Sequence, residues 1–180
     1  MSAKRRTAAA SSVSVTRREL LALGVGAAAT LAWPYRGDAL PADVTGLLER
    51  SGFVYVSPLR TDGAESRCHG EVWYGWLDGR VVLITAKTSW KARALERGLT
   101  RARVWVGDHG RVGRLLGSND AFRQAPSFEA AAARSRDEAL LDRLMAAFRS
   151  KYPGEIQSWE PRMREGFASG DRVLITYTPG

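Results

Sequence analysis

The spacing of hydrophobic residues changes from helix-like to strand-like shortly after residue 50. Residues 41–50 (PADVTGLLER) carry their apolar side chains at helical spacing. Residues 53–57 (FVYVS) are aromatic and β-branched, which favours a strand, and residues 60–63 (RTDG) are typical of a turn. The pattern therefore predicts a helix, a strand and a turn, in that order.

Two pairs of strand-like segments follow, each around a short polar connection. Residues 71–77 (EVWYGWL) and 80–85 (RVVLIT) flank Asp78-Gly79, a two-residue hairpin signal whose glycine accepts a positive φ. Residues 103–106 and 111–116 flank a Gly-Asp-His-Gly connection in the same way. We therefore expect two β-hairpins.

Two helices are predicted between and after these hairpins. Residues 89–97 (SWKARALER) should form a short helix with Ser89 or Thr88 as its N-cap and Gly98 as its stop. In residues 137–152 large apolar residues recur every four positions, as in an amphipathic helix.

The rest of the pattern favours a barrel. Residues 130–133, four alanines, look like helix or linker, and residues 172–178 (RVLITYT) should form a final strand. Hairpins joined in sequence, with one long insertion before the last strand, favour an antiparallel barrel that closes its own edges.

The net charge of +8 over 180 residues at first suggests a nucleic-acid partner. However, six of the 27 basic residues and two of the 19 acidic ones lie in residues 1–39, so the remainder carries only +4. No basic run in that remainder exceeds two residues. We therefore expect no nucleic-acid binding.

Residues 1–39 have the pattern of an export segment. A basic lead and Arg17-Arg18 precede an apolar run over residues 20–32 that is too short and too rich in Gly and Ala for a transmembrane helix. The combination resembles a bacterial twin-arginine signal, and the alternatives are a basic tail or an uncut signal anchor. Ala32 and Ala39 both precede acceptable cleavage sites; we favour Ala39, which leaves residues 40–180 as the mature domain.

A twin-arginine signal implies passage through the corresponding export machinery to the periplasm, the cell envelope or the medium. It also implies that the chain folds before it crosses the membrane, often around a cofactor. A cofactor site is therefore expected in the mature domain.

Metal and nucleophile chemistry have little support in the composition. Cys68 is the only cysteine, and His69 and His109 are the only histidines, so no cysteine-rich zinc site and no intrachain disulfide is expected. Neither histidine lies in a hydrolase or metalloprotease motif. We predict no metal site and no catalytic side chain, and we expect Cys68 and His69 to fill a strand.

Residues 80–98 (RVVLITAKTSWKARALERG) carry the most informative chemistry. A strand leads into a helix whose first turns hold Lys87, Ser89, Lys91 and Arg93. A helix N-terminus offers free N–H groups to anions, so these residues could form a phosphate cradle. The alternative is a capped surface helix with a solvated basic face.

The order and spacing of these segments over residues 42–179 resemble the split-barrel flavin-binding family that includes pyridoxamine 5′-phosphate oxidase and the deazaflavin-dependent reductases. The resemblance rests on Asp62-Gly63, on the strand Val72-Trp73-Tyr74 and on the block Thr85-x-x-x-Ser89-x-Lys91-x-Arg93. It implies a mainly β (α+β) fold, a six-stranded antiparallel split β-barrel with flanking helices. It also implies a homodimer with the flavin in the cleft between the subunits.

The same resemblance implies a set of cofactor-binding residues. Thr85 and Ala86 would meet the flavin end of the strand, and Lys87, Ser89 and Lys91 would hold the phosphate of FMN. The strand residues Val72 and Trp73 would flank the flavin ring, chiefly through backbone groups. Arg93 and Trp90 complete the set, and Trp90 would pack on the cofactor, on a partner subunit or in the core. Tryptophans in strands, such as Trp73, Trp76 and Trp105, more often fill a barrel or a dimer seam.

Two departures limit the activity that the resemblance implies. Many oxidases have Ser-Arg-Lys where this chain has Ser89-Trp90-Lys91, and residues 171–180 (DRVLITYTPG) lack the oxidase's substrate-binding segment. We therefore expect an exported flavin-dependent oxidoreductase acting on a small redox substrate, and not a pyridoxamine phosphate oxidase. The alternatives are a non-catalytic binder of flavin, deazaflavin or haem, with His69 or His109 as an axial ligand, and a cofactor-free dimeric barrel used in assembly.

Overall fold

The computed structural model describes residues 40–107 and 121–180. The elements in chain order are helix α1 (Ala42–Arg50), strands β1 (Val54–Pro58), β2 (Gly70–Val72), β3 (Gly75–Leu77) and β4 (Arg80–Ala86), helix α2 (Trp90–Glu96), strand β5 (Arg101–Val106), a 3₁₀ turn (Ala121–Gln124), strand β6 (Ser127–Ser135), helices α3 (Glu138–Lys151) and α4 (Ile156–Ala168), and strand β7 (Arg172–Pro179). The export segment and the strand predicted at residues 111–116 lie outside the described residues.

The seven strands of the described residues belong to one antiparallel sheet in the order β2-β1-β5-β6-β7-β4-β3. The two edge strands, β2 and β3, are separated in sequence only by Trp73 and Tyr74. The chain thus passes from one edge of the sheet to the other within two residues, which requires the sheet to curl around an interior. The expected mainly β, α+β architecture is confirmed in the form of a curled antiparallel sheet with flanking helices.

The expected count of six strands is wrong: the described residues alone form seven, because residues 71–77, predicted as one strand, form two and β6 was not predicted as a strand. Val72 pairs with Val54 of β1, whereas Gly75 pairs with Val82 of β4. Between them the N–H of Tyr74 donates to Oη of Tyr152 (3.2 Å). A side chain from α3's C-terminal end therefore provides a partner for a backbone group at the bend.

The local turn signals are confirmed. Asp78 and Gly79 have φ values of 51° and 70°, as a tight hairpin turn requires, and Leu77 pairs with Arg80 across it. Arg143 of α3 donates two hydrogen bonds to the Asp78 carboxylate (2.8 and 2.6 Å). These bonds hold the pKa of Asp78 at about 2.

Two segments differ from the sequence-based expectation. The alanines at 130–133 lie in strand β6, where the strand pairs with β5 on one side and β7 on the other. Phe128, Ala130 and Ala132 are buried in alternation, which is the strand period. Helix α4 was not predicted, although Ile156, Met163 and Phe167 form its buried face.

Apolar side chains fill both sides of the sheet. Inside the curl, alternate residues of the strands meet α1 and α2; Val54, Val104 and Ile175 are examples. On the outer side of β4 and β7, helices α3 and α4 cover a second core that includes Val82 and Leu174. The bend at Trp73 and Tyr74 therefore lies between the two cores.

Among residues 40–107 and 121–180, no helix is both long and apolar enough to cross a membrane.

Candidate functional site

A cavity of about 270 Å³ opens where the β2–β3 bend, the end of β4 and three helices meet. We call it the bend cavity. It is lined by Val72, Trp73, Ile84, Thr85, Lys91, Phe148, Trp159 and Met163.

The bend itself forms one wall of this cavity and is held by aromatic contacts. The ring of Trp73 stacks on Tyr152, with centroids 4.5 Å apart and planes at 10°, and it meets Phe148 edge-on at 6.0 Å. The Tyr152 hydroxyl donates to the carbonyl of Gly52 (2.6 Å) while it accepts from Tyr74. The position of Trp73 is thus fixed by α3 and by the loop before β1.

Strand β4 contributes Ile84 and Thr85, which lie near its C-terminal end where it pairs with β7. Ile84 pairs with Leu174 and packs with the helix-covered core, whereas Thr85 pairs with Val173. Successive residues of a strand point to opposite faces, so the cavity lies at the end of β4 where both faces can be reached. Thr85 is half-buried, and among the described lining residues it is the one with a hydroxyl group.

Lys91 supplies the cavity's charge from the first turn of α2. The helix begins after Ser89, whose Oγ accepts a hydrogen bond from the N–H of Ala92 (3.3 Å), as predicted for an N-cap. The Nζ of Lys91 lies 4.3 Å from the centroid of the Trp90 ring. Burial lowers the pKa of Lys91 to about 8.

Three other residues of the predicted set lie beside the bend cavity and do not line it. Ala86 pairs with Arg172 at the end of β4, and its carbonyl accepts from the N–H of Ser89 (2.9 Å). Lys87 is exposed, and its Nζ forms an ion pair with Asp171 at 2.8 Å. The Ser89 hydroxyl is engaged as the cap of α2, although its own proton remains available to a ligand.

Trp90 and Arg93 line a second cavity, of about 240 Å³, which we call the Trp90 cavity. The edge of the Trp90 ring packs over Gly70 of β2, where a methyl group would lie 3.5 Å from Cζ2. The cavity is lined by Pro58, Ser66, Cys68, Trp90, Arg93, Ala94, Arg97 and Leu99. The structure therefore divides the predicted set: Val72, Trp73, Thr85 and Lys91 meet at one cavity, and Trp90 and Arg93 at another.

Four residues of the bend cavity were not predicted from the sequence. Ile84 belongs to a predicted strand and Phe148 to a predicted helix. The two elements were expected, but the sequence did not predict that they line one cavity. Trp159 and Met163 come from the unpredicted helix α4, where their four-residue spacing was the available signal. Trp159 is 42% exposed, and among the described residues it is the only large hydrophobic side chain that is exposed.

His69 and Cys68, the residues before β2 that could bind a metal or haem iron, do not line the bend cavity. The His69 ring lies 4.9 Å from Phe122, and its Nδ1 is buried without a hydrogen-bond partner in the described part of the chain. Cys68 is an exposed free thiol. Residues 40–107 and 121–180 contain no group of three or more His, Cys, Asp or Glu side chains that could hold a metal ion.

No protein-family model and no curated protein matches the sequence. Solved structures do match. The conserved hypothetical protein Rv2991 from Mycobacterium tuberculosis is 20% identical, with a TM-score of 0.53 over 79% of this chain and 82% of that protein. HutZ, the heme storage protein from Vibrio cholerae, is 13% identical, with a TM-score of 0.51 over 79% of this chain and 92% of that protein.

A FAD-binding protein from Mesorhizobium loti is 16% identical, with a TM-score of 0.49 over 78% of this chain and 91% of that protein. At such identities the likeness to the first two proteins concerns the fold alone. The chain thus shares its curled antiparallel sheet and flanking helices with Rv2991 and with HutZ.

Proposed function

We propose that this chain binds a flavin, with the ring in the bend cavity, and acts as a flavin-dependent oxidoreductase on a small redox substrate. The observation that carries the proposal is that Trp73, Thr85 and Lys91, three residues expected at the cofactor from the sequence, line one cavity.

The chemistry of the lining fits a flavin ring. The ring has flat apolar faces and a polar edge, and the cavity has aromatic walls in Trp73, Phe148 and Trp159 with a hydroxyl and an ammonium group at Thr85 and Lys91. Its volume of about 270 Å³ is just below the ~300–1,000 Å³ typical of sites for drug-sized ligands. The cavity is therefore suited to the ring, with the remainder of the cofactor outside it.

A bound flavin supplies the hydride chemistry, and the residues of the chain bind, orient and shield it. A half-buried ammonium that has lost part of its hydration interacts strongly with a negative charge, which suits Lys91 to an anionic part of the cofactor. Phe148 and Met163 exclude water from the inner wall, while the exposed Trp159 stands at the mouth.

We propose FMN as the cofactor, with Ser89 and Lys87 joining Lys91 at its phosphate. The Ser89 hydroxyl can donate to a phosphate while it caps α2. The Lys87–Asp171 pair is exposed, and exposed pairs contribute little free energy, so Lys87 can exchange Asp171 for a phosphate.

A second candidate function is haem binding or storage without catalysis. HutZ, which shares the fold, is described as a heme storage protein. In this chain His69 has a buried Nδ1 without a partner in the described residues, and imidazole nitrogen is a common axial ligand of haem iron. A deazaflavin in the bend cavity is the third option.

We further propose that the protein is a homodimer and that it is exported by the twin-arginine machinery. The exposed Trp159 at the mouth of the bend cavity supports a second subunit there, since burying a large indole against a partner is favourable. The paired arginines Arg17 and Arg18 support export of a chain that folds around its cofactor first.

The absorption spectrum of the purified full chain tests the cofactor. Oxidised flavin gives two bands in the near-ultraviolet and blue, a deazaflavin a single band between them, and haem a Soret band. If the protein is colourless, riboflavin, FMN and haem are titrated separately. A chain that purifies colourless and binds neither riboflavin nor FMN would contradict the flavin proposal, and a Soret band with binding of haem alone would favour the second candidate.

A further inference from the structure

The Trp90 cavity has the composition of a site for a nucleoside phosphate. Trp90 supplies an aromatic surface, and Pro58, Ala94 and Leu99 supply apolar contacts. Arg93 of α2 and Arg97, the residue that follows the helix, add two guanidinium groups four positions apart in the chain. A purine base stacks on aromatic side chains, and guanidinium groups bind phosphate through paired N–H donors.

Within residues 40–107 and 121–180, no acidic side chain pairs with the two guanidinium groups of this cavity. Neither Arg93 nor Arg97 forms an ion pair with any of the described residues. The neighbouring acid on the same helix, Glu96, already pairs with Arg134 of β6 at 2.8 Å. The Arg134 guanidinium also donates to the carbonyl of Ala92 at 2.7 Å, so this side of α2 keeps an excess of positive charge.

The Trp90 cavity and the bend cavity are next to each other. Trp90 lines one and Lys91 the other, and the Lys91 ammonium lies 4.3 Å from the Trp90 ring centroid. Strand β2 passes the same place, since a methyl group on Gly70 would lie 3.5 Å from the Trp90 ring and Val72 lines the bend cavity. Each cavity alone is below about 300 Å³, so a ligand larger than either would have to place one part in each.

We propose that the Trp90 cavity binds the adenosine diphosphate part of a dinucleotide, with the base against Trp90 and the phosphates on Arg93 and Arg97. The nucleotide site itself is formed by residues that do not line the bend cavity. Only the identity of the rest of the dinucleotide rests on the proposed function. The dinucleotide is either the cofactor itself, as flavin adenine dinucleotide, or a nicotinamide dinucleotide that delivers hydride to a flavin mononucleotide.

The test is calorimetric titration of the purified full chain with ADP, which needs no flavin site. The variant R93Q/R97Q is compared with R50Q/R143Q, which removes the same charge from residues that line neither cavity. We expect ADP to bind to the wild type and the control equally, and at least tenfold more weakly to R93Q/R97Q. Adenosine alone and inorganic phosphate alone should each bind more weakly than ADP.

Failure of ADP to bind to the wild type, or equal ADP affinity in R93Q/R97Q, would overturn the proposal. Riboflavin is titrated in parallel, because it fits the bend cavity without phosphate; its affinity should be the same in both arginine variants. Binding of ADP without binding of riboflavin would contradict the proposed flavin site and support the nucleotide site. Binding of riboflavin without binding of ADP would support the flavin site and contradict the nucleotide site.

Two further titrations identify the source of the nucleotide. If the cofactor is the dinucleotide, FAD binds at least tenfold more tightly than FMN, and ADP competes with FAD. If the dinucleotide is the electron donor, FAD and FMN bind equally, and NADH displaces ADP while FMN stays bound. Either result supports the assignment of the Trp90 cavity, and a chain in which ADP competes with neither FAD nor NADH contradicts it.

Discussion

The ring of Trp73 stacks on the ring of Tyr152, 79 positions further along the chain, with centroids 4.5 Å apart and planes at 10°. The Tyr152 hydroxyl accepts from the N–H of Tyr74 and donates to the carbonyl of Gly52. One side chain at the end of α3 therefore joins the bend of the sheet to the loop before β1. Because Trp73 also lines the bend cavity, the same contacts determine the shape of the candidate site.

Tyr152→Phe keeps the stacking and removes the hydrogen bonds of the hydroxyl group. The N–H of Tyr74 loses its partner at a buried position, so we expect a loss of about 1–3 kcal/mol in the free energy of unfolding. Urea unfolding measures this loss, and flavin titration measures the accompanying change at Trp73.

Tyr74→Phe is the matched variant, since it removes one buried hydrogen bond, to the carbonyl of Leu48 at 2.7 Å, and leaves the bend intact. It should reduce stability and retain flavin affinity. If the two variants weaken flavin binding equally, or if Tyr152→Phe is as stable as the wild type, the bend is not held as described.

Interactions between neighbours in sequence were the part of this fold that the sequence could predict. The Asp78-Gly79 turn and the Ser89 cap each depend on residues within a few positions, and both are confirmed. The bend at Trp73 was missed because its partner, Tyr152, comes from α3. The alanines at 130–133 have no strand propensity, and they form a strand because β5 and β7 pair with both of its edges.

The residues of the candidate site likewise fall into those that the sequence identified and those that only tertiary packing brings to the cavity. Lys91 was identified because strand, cap and helix follow one another in sequence, and Thr85 through the resemblance to the split-barrel family; both line the bend cavity. The four-residue spacing of Trp159 and Met163 indicates a helix, but it does not show that α4 packs on the sheet and brings both residues to that cavity. Trp90 and Lys91 line different cavities although they are adjacent on α2 and the Lys91 ammonium lies 4.3 Å from the Trp90 ring centroid.

Gly79→Ala tests the hairpin that begins β4. Gly79 has open space around its Cα but a φ of 70°, so an added methyl group is strained by the backbone alone, at a cost of about 1–2 kcal/mol. Gly154→Ala is the control, because Gly154 also has open space and no positive φ; it should be neutral or stabilise by up to about 1 kcal/mol. Thermal and urea unfolding measure both, and equal effects of the two substitutions would refute the hairpin geometry.

Replacement of Arg17 and Arg18 by lysine tests the export proposal. The twin-arginine receptor reads the arginine pair, so the double substitution should leave the protein in the cytoplasm while its fold and cofactor content stay unchanged. Arg5→Lys with Arg6→Lys is the matched control, since it changes two neighbouring arginines outside the apolar run. Cell fractionation followed by immunoblotting measures the distribution, and undiminished export of the Arg17/Arg18 variant would disprove the proposal.

Lys91→Met tests which lysine carries the charge at the cofactor. Lys91 lines the bend cavity and Lys87 pairs with exposed Asp171, so removal of the Lys91 charge should weaken FMN binding at least tenfold, or about 1.4 kcal/mol. Ser89→Ala with Lys91→Ala should show at least the same loss. Lys87→Met should have a smaller effect, and a larger loss in Lys87→Met than in Lys91→Met would assign the phosphate to the exposed end of β4.

The pH dependence of stability should reveal the buried position of the Lys91 ammonium. Burial lowers its pKa from the usual 10.5 to about 8, so below pH 8 both the folded and the unfolded chain hold the charge and the folded chain bears the full cost of burying it. Between about pH 8 and 10.5 the unfolded chain binds a proton that the folded chain does not, and the contribution of Lys91 to stability therefore rises with pH. Lys151, whose ammonium lies 3.7 Å from the centroid of the Tyr74 ring, has its pKa lowered to about 8 by burial and should act in the same direction.

Lys91→Met and Lys151→Met should each remove part of the rise in stability between about pH 8 and 10.5. The free energy of unfolding of each variant is measured relative to wild type at several pH values. A difference between wild type and Lys91→Met that does not change with pH would show that the ammonium is solvated in the folded protein.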